Sequence, residues 1–227
     1  MITIKGNTTI KGNVTSILSP TFPYNGIDAY WTFNNTLADS LGGPTWSASG
    51  TLSYSSIAVF TKSLYAGSGT TVLANSSNGP AFYLSSTTQR TYNYWVNFAS
   101  AGTFQFIKRN TISNDTFQFY PISTNPANGL NMTWNYSSRV GTGWNMITLS
   151  INWSGTTPAS GVSFYLNGVK QSGTVSADTL GESIDNTGGS GITIPNNCRF
   201  DEFGFWNRVL SQGEITSLYN NGLGRPY

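Results

Sequence analysis

Apolar residues alternate with polar or small ones in several short stretches of this chain. Phe104 and Phe106 flank Gln105, Phe117 and Phe119 flank Gln118, and Phe203 and Phe205 flank Gly204. A period of two is what a strand with one buried face produces. The pattern predicts strands over Ile27–Phe33, Ile57–Tyr65, Thr70–Leu73, Ala81–Leu84, Tyr92–Phe98, Thr103–Arg109, Thr116–Phe119, Leu130–Tyr136, Asn145–Trp153, Val162–Leu166, Val169–Gln171, Ile192–Ile194 and Arg199–Trp206. Asn167-Gly168 lies between two apolar runs and predicts a tight hairpin, because both central residues of that turn need positive φ. Clusters of Gly, Ser and Asn at 42–50, 66–70, 74–79, 154–161 and 186–191 predict surface loops.

One helix is signalled, near the C-terminal end of the sequence. Ser211-Gln212-Gly213-Glu214 is a capping box: the Ser hydroxyl can accept from the Glu backbone N–H, and the Glu carboxylate can reach back to the Ser N–H. Leu210 can staple onto Ile215, and Ile215, Leu218 and Tyr219 share one face. Gly222 is the expected left-handed stop. Such a helix is expected to lie against a sheet edge or a sheet end.

Residues 1–20 read differently. Ile4-Lys5-Gly6-Asn7-Thr8-Thr9 is followed by the near-repeat Ile10-Lys11-Gly12-Asn13-Val14-Thr15. Alternation of Ile2 and Ile4, then Thr8 and Ile10, predicts two short strands with turns at Gly6-Asn7 and Gly12-Asn13. This piece has too few apolar residues for a core of its own. It reads either as a frayed or expression-derived leader or, more sharply, as a docking arm. The arm would use Ile2, Ile4, Ile10 and Val14 to pair with another chain, by strand addition or as an intertwined stem. Ser19-Pro20-Thr21-Phe22-Pro23 reads as a linker, since proline blocks helix and central strand. The expected organisation is an arm and linker over 1–20 and one domain over 21–227.

Composition narrows the class. Only 9% of the 227 residues are charged, against about a quarter in an average domain. Aromatics reach 14%, which argues against disorder and for strands. A net charge of +2 offers no basic stripe for phosphates, so no nucleic-acid partner is expected. No apolar run reaches the ~18 residues of a membrane helix, so no membrane insertion is expected. With 0 His, histidine triads, histidine metal sites and histidine pH switches are excluded. The single Cys198 cannot form an intrachain disulfide. Met1–Thr15 is polar, with no apolar core after it, so no signal peptide is expected.

Four motifs in order then suggest a family. Near the end stands Asp201-Glu202-Phe203-Gly204-Phe205-Trp206-Asn207-Arg208-Val209-Leu210-Ser211, followed by Glu214-Ile215 and Leu218-Tyr219-Asn220-Asn221-Gly222. The opening reads Tyr30-Trp31-Thr32-Phe33-Asn34, then Leu37, Asp39, Ser40 and Gly42. Between them come Gly143-Trp144-Asn145 and the hairpin Phe164-Tyr165-Leu166-Asn167-Gly168. Together they resemble the laminin-G-like jelly-roll domains of the concanavalin A-like lectin/glucanase superfamily, over Ile27 to Tyr227. Asn145 stands where the family usually has His. The resemblance implies an all-β fold: a two-sheet antiparallel jelly-roll sandwich with one short C-terminal helix. Its members include glycan-binding modules, adhesion modules and virion components, so the fold does not fix a function.

The chemistry-bearing residues are few. Glycanases of the superfamily carry Glu-x-Asp-x-x-Glu on one strand, which sets two carboxyls about 5 Å apart for retaining hydrolysis. The glutamates here, Glu182, Glu202 and Glu214, do not have that spacing. Asp201 and Glu202 are adjacent, so on a regular strand they point to opposite faces and cannot cooperate. No catalytic residue is therefore assigned, and a glycan-active enzyme is the weakest alternative. No Asp-x-Asp cluster suggests calcium, and no cofactor is required. Laminin-G-like relatives often hold one calcium at a rim, which makes Asp39 the candidate ligand; its competing role is to cap a turn. Trp134, Tyr136 and Trp153 are candidates for stacking on sugar rings, against the ordinary role of aromatics as core.

These features point to binding and assembly. The expected function is a non-enzymatic structural or decoration protein of a virion, such as a bacteriophage capsid or tail. Its N-terminal arm would hold other virion proteins or copies of itself, as in a homo-oligomer. The displayed domain would be adhesive toward cell-surface glycans. The alternative is an extracellular carbohydrate-binding or adhesion module. The expected location is accordingly the virion surface, or else the extracellular space.

Overall fold

The computed structural model describes residues 21–43, 45–49, 52–66, 71–73, 89–98, 106–109, 116–120, 130–133, 143–152, 161–171, 174–178 and 198–227. Ile2, Ile4, Ile10, Val14, Trp134, Tyr136 and Trp153 lie outside these residues, as do the strands expected at 81–84 and 192–194. The described elements are β1 (Ile27–Trp31), β2 (Ser47–Ser49), β3 (Leu52–Ser55), β4 (Ser63–Ala66), β5 (Thr71–Leu73), β6 (Gln89–Phe98), β7 (Phe106–Arg109), β8 (Thr116–Tyr120), β9 (Leu130–Thr133), β10 (Gly143–Asn152), β11 (Val162–Leu166), β12 (Val169–Lys170), β13 (Thr174–Asp178), β14 (Cys198–Trp206) and α1 (Gln212–Tyr219).

The architecture is the expected antiparallel jelly-roll sandwich. An eight-stranded sheet runs β12-β11-β10-β6-β14-β4-β3, with β1 also on β14. A four-stranded sheet runs β13-β9-β8-β7, and β2 pairs with β5. All pairs are antiparallel except β8 with β9. Two elements share one edge of β14: β4 pairs with Cys198–Phe200, and β1 pairs with Phe203–Trp206. The handover between them falls at Asp201 and Glu202.

The register sorts the large sheet into two buried faces. On one face, Tyr92 and Tyr94 of β6 sit opposite Leu149 and Ile147 of β10. Phe200, Phe203 and Phe205 of β14 meet the same tyrosines, with Tyr94 stacked on Phe200 at 4.9 Å between ring centroids. Trp31 and Trp46 close on Phe203 at 5.6 and 5.5 Å. The other face carries Trp95, Met146, Tyr165 and Trp206, covered by Phe22, Leu210, Ile215 and Leu218. The helix therefore lies on the face of the central strands rather than at an edge or end. Burying a helix stripe against an apolar sheet face removes far more apolar surface than an edge contact could.

Buried polar groups on that second face are paired, as they must be away from water. Thr148 donates to the Asn93 side chain at 2.6 Å. Thr91 Oγ1 donates to the Arg208 carbonyl at 2.8 Å and accepts from the Leu210 N–H at 3.0 Å, which fixes the approach to the helix. The capping box forms as expected: Ser211 Oγ accepts from Glu214 N–H at 3.3 Å, and Glu214 accepts from Ser211 N–H at 2.8 Å. Arg208 bonds the Glu214 carboxylate with both terminal nitrogens, and chiefly for that reason the carboxyl is held down at about 2. The stop comes two residues before Gly222. Asn220 is left-handed at φ 47°, and its amide donates to the Gly224 carbonyl at 2.8 Å. Asparagine tolerates this region because its short polar side chain bonds locally.

The hairpin at Asn167-Gly168 is as expected, with φ 52° and 78°. Other boundaries differ. The stretch 42–50, expected as loop, contains β2, and β3 and β13 were not anticipated. The apolar run at Ile57 does not open a strand, and β4 begins only at Ser63. Val59 packs onto the helix-covered core, and its N–H is taken by the Asp201 carboxylate at 2.8 Å instead of a ladder partner.

Candidate functional site

The most unusual chemistry among the described residues lies at the β4-to-β1 handover on β14. Opposite β6, Asp201 faces Trp95 and Gly204 faces Asn93, so β14 holds one extra residue there. Glu202 absorbs it with a left-handed backbone, φ 49°, uncommon for a residue with a side chain. The bulge resets the alternation. Phe200 and Phe203 keep one face, while both acids leave it: Asp201 meets the 59–60 backbone and Glu202 meets Tyr30. The expectation that the two carboxyls point to opposite faces is thus overturned. Alternation applies only to an unbroken ladder.

Both acids are sealed from solvent, at 0% and 3% exposure. Asp201 accepts from Val59 N–H at 2.8 Å and Glu202 N–H at 3.0 Å, with a further backbone donor at Phe60. Glu202 accepts from the Tyr30 hydroxyl at 2.6 Å. Burial pushes the Asp201 carboxyl up to about 7 and the Glu202 carboxyl to about 8, with the Asp201 charge adding to the second. Three backbone donors make Asp201 the better carboxylate, and Glu202 is the better proton holder. Burial and the Glu202 charge hold the Tyr30 phenol well above its usual range. The pair can store a proton, but it presents no open carboxyl to a substrate.

Above Tyr30 lies an aromatic surface made from both ends of the described chain. Phe22 is buried against Tyr30 and Trp206 at 5.3 and 6.0 Å. Tyr227 stacks on Tyr30 at 5.0 Å and 26°. Tyr24 lies 4.9 Å from Phe22 and 5.6 Å from Tyr227. Trp206 anchors the base by donating its indole N–H to the Pro23 carbonyl at 2.7 Å. Tyr24 and Tyr227 remain 57% and 39% exposed. Neither was singled out from the sequence, since their meeting depends on the tertiary fold.

Asp39, the calcium candidate, is buried at a turn. Its Oδ1 accepts from Tyr30 N–H at 2.8 Å and Leu41 N–H at 3.0 Å, and its Oδ2 accepts from Gly43 N–H at 3.1 Å. These bonds organise the turn and tie it to β1. Among the described residues no group of three or more His, Cys, Asp or Glu could hold a metal ion. The geometry predicts that Asp39 organises its turn without a metal, so EDTA should leave the melting temperature unchanged; a fall of several degrees that Asp39→Asn abolishes would assign Asp39 a calcium ion.

Comparison with solved structures finds the same fold in several proteins. Domain 4 of a GH43 extracellular arabinanase from Geobacillus stearothermophilus, solved with arabinotriose, matches with a TM-score of 0.61 and 16% identity, over 88% of this chain and 98% of that one. The binding domain of Paraclostridial Mosquitocidal Protein 1 matches with a TM-score of 0.56 and 12% identity, over 87% of this chain and 52% of that one. The ligand binding domain of botulinum neurotoxin serotype D, solved with N-acetylneuraminic acid, matches with a TM-score of 0.55 and 12% identity, over 86% and 51%. The chain spans about half the length of the two toxin domains. No protein-family model and no curated protein matches the sequence. At these identities the likeness establishes a shared fold, the β-sandwich.

Proposed function

We propose that this chain is a non-enzymatic, glycan-adhesive display domain, carried on a virion surface by residues 1–20. The observation that supports it most is the match to nearly the whole of a domain solved with arabinotriose. The buried state of Asp201 and Glu202 favours binding over hydrolysis, because a glycosidase needs both carboxyls beside the scissile bond. The virion assignment rests on the strand-like arm and the low charge of the chain. The toxin-domain matches equally suit an extracellular adhesion module, which would bind glycans but join no particle.

Titration with arabinotriose and N-acetylneuraminic acid, beside a glycan array, tests the adhesive half. Saturable binding is expected, weakened by Trp134→Ala or Trp153→Ala without loss of fold. No binding at millimolar sugar would refute it. Deletion of residues 1–20 is expected to abolish incorporation into the particle while the domain stays folded. If the deleted chain still incorporates, the arm is not the anchor.

A further inference from the structure

We propose that Asp28 and Arg90 form a binding site for the hydroxyl groups of a neutral sugar, at the end of the large sheet where β1 and β6 begin. The inference deepens the glycan-adhesive reading and rests on it. Ile27 pairs with Trp206 and Ala29 with Phe205, so two steps along β1 match one step along β14. Asp28 is the extra residue of this second bulge, and bulges re-aim side chains. Its Oδ1 accepts from Asn207 Nδ2 at 2.8 Å, which fixes the carboxylate. Its Oδ2 lies 3.9 Å from Arg90 Nη1, beyond hydrogen-bond length. Arg90 is uncommitted in a way that its counterparts are not. Arg199, Arg208 and Arg225 all donate hydrogen bonds within the fold. The Arg90 side chain donates none among the described residues, and its Nε is buried and unpaired. Phe205 holds it instead, with the ring centroid 5.3 Å from the guanidinium carbon. Ile151 stands opposite Arg90 on β10, two residues before Trp153 in the sequence.

The pair selects the chemistry of its ligand. Asp28 Oδ2 needs a donor, and Arg90 needs an acceptor. A phosphate or a sugar carboxylate on Arg90 would face the Asp28 carboxylate, and a cation on Asp28 would face the guanidinium. A hydroxyl is donor and acceptor at once. With its oxygen about 2.8 Å from each atom, it spans the 3.9 Å gap, donating to Oδ2 and accepting from Nη1. Both contacts are charge-assisted, which makes them the stronger kind. The two side chains are open to solvent, Asp28 at 31% and Arg90 at 20%. Arg208, next to Asn207 in the chain, is neutralised by Glu214, so the site carries no net charge. That balance suits an uncharged polyhydroxyl ligand such as arabinotriose and disfavours N-acetylneuraminic acid.

Isothermal titration of the full chain tests this, with arabinotriose or the strongest neutral hit of the glycan array. Asp28→Asn and Arg90→Met are each expected to raise the dissociation constant at least about tenfold, with an unchanged near-UV spectrum. Asp28→Asn removes only the charge, and Arg90→Met keeps an unbranched stem over Phe205. If the wild type binds the neutral sugar and either folded variant binds it equally well, the gap holds a bridging water and no ligand. The site is then refuted while the adhesive reading stands. A wild type that binds no glycan at all refutes both. A wild type that takes N-acetylneuraminic acid in preference to every neutral sugar overturns the assigned ligand class.

Discussion

Between about pH 5 and about pH 9 the protein is expected to lose several kcal/mol of unfolding free energy, through Asp201 and Glu202. The sign follows from which state holds the protons. In the unfolded chain both carboxyls release their protons near pH 4. In the fold they keep them to about 7 and about 8. Across that window the native state binds more protons, so stability falls as pH rises. The contribution is fully present below about pH 4 and is lost once pH passes the folded values. Glu214 runs the other way, since its carboxyl is held at about 2 and its pairing with Arg208 is lost only in stronger acid.

The composition makes this test clean. With 0 His and one Cys, few other side chains titrate between the two limits. Urea unfolding at a series of pH values reads the slope. Glu202→Gln retains an acceptor for the Tyr30 hydroxyl and removes one of the two buried titrating carboxyls. It should match the wild type near pH 5, exceed it near pH 9, and show about half the slope. A flat wild-type profile, or an unchanged slope in Glu202→Gln, would show that the pair does not titrate in this window.

That pair marks the boundary of what was legible in the sequence. Local chemistry was readable wherever a few neighbouring residues decide the outcome. Asn167-Gly168 can serve a primed turn, and Ser211 with Glu214 closes its own capping box. Simple alternation through Asp201-Glu202 hides the bulge, because it assumes an unbroken ladder. A signal was present: Phe200, Phe203 and Phe205 all belong to one face, and the three-then-two spacing needs one inserted residue. The helix position and the Tyr24–Tyr227 surface had no such signal. Each joins segments far apart in the sequence, so only the assembled sheet brings them together. The strand at Ile57 failed for a related reason, because a distant carboxylate claims its backbone donor.

Gly204→Ala is expected to be among the most damaging single changes available, although it adds only one methyl group. Gly204 lies on β14 just beyond the bulge, and Trp206, two residues on, folds its ring back across it. A Cβ there would stand 2.5 Å from Trp206 Cη2, 2.6 Å from Cζ3 and 3.0 Å from Tyr30 Cδ2. Neither ring can yield. Trp206 is fully buried and held by its bond to the Pro23 carbonyl, and Tyr30 is held by Glu202 below and Tyr227 above. Overpacking a rigid core costs about 3 kcal/mol at the upper end of the usual range. For a chain of this size that lowers the melting temperature by roughly 10 °C. Gly213→Ala is the matched control. It adds the same methyl in the first turn of α1, where a Cβ meets nothing within 4 Å. There alanine should raise stability by up to about 1 kcal/mol, because glycine loses more backbone freedom on entering a helix. Thermal melts of the two variants should move in opposite directions. A Gly204→Ala protein that melts with the wild type would mean that the Trp206 ring is free to swing away, and that the aromatic floor beneath Tyr24 and Tyr227 is softer than its packing indicates.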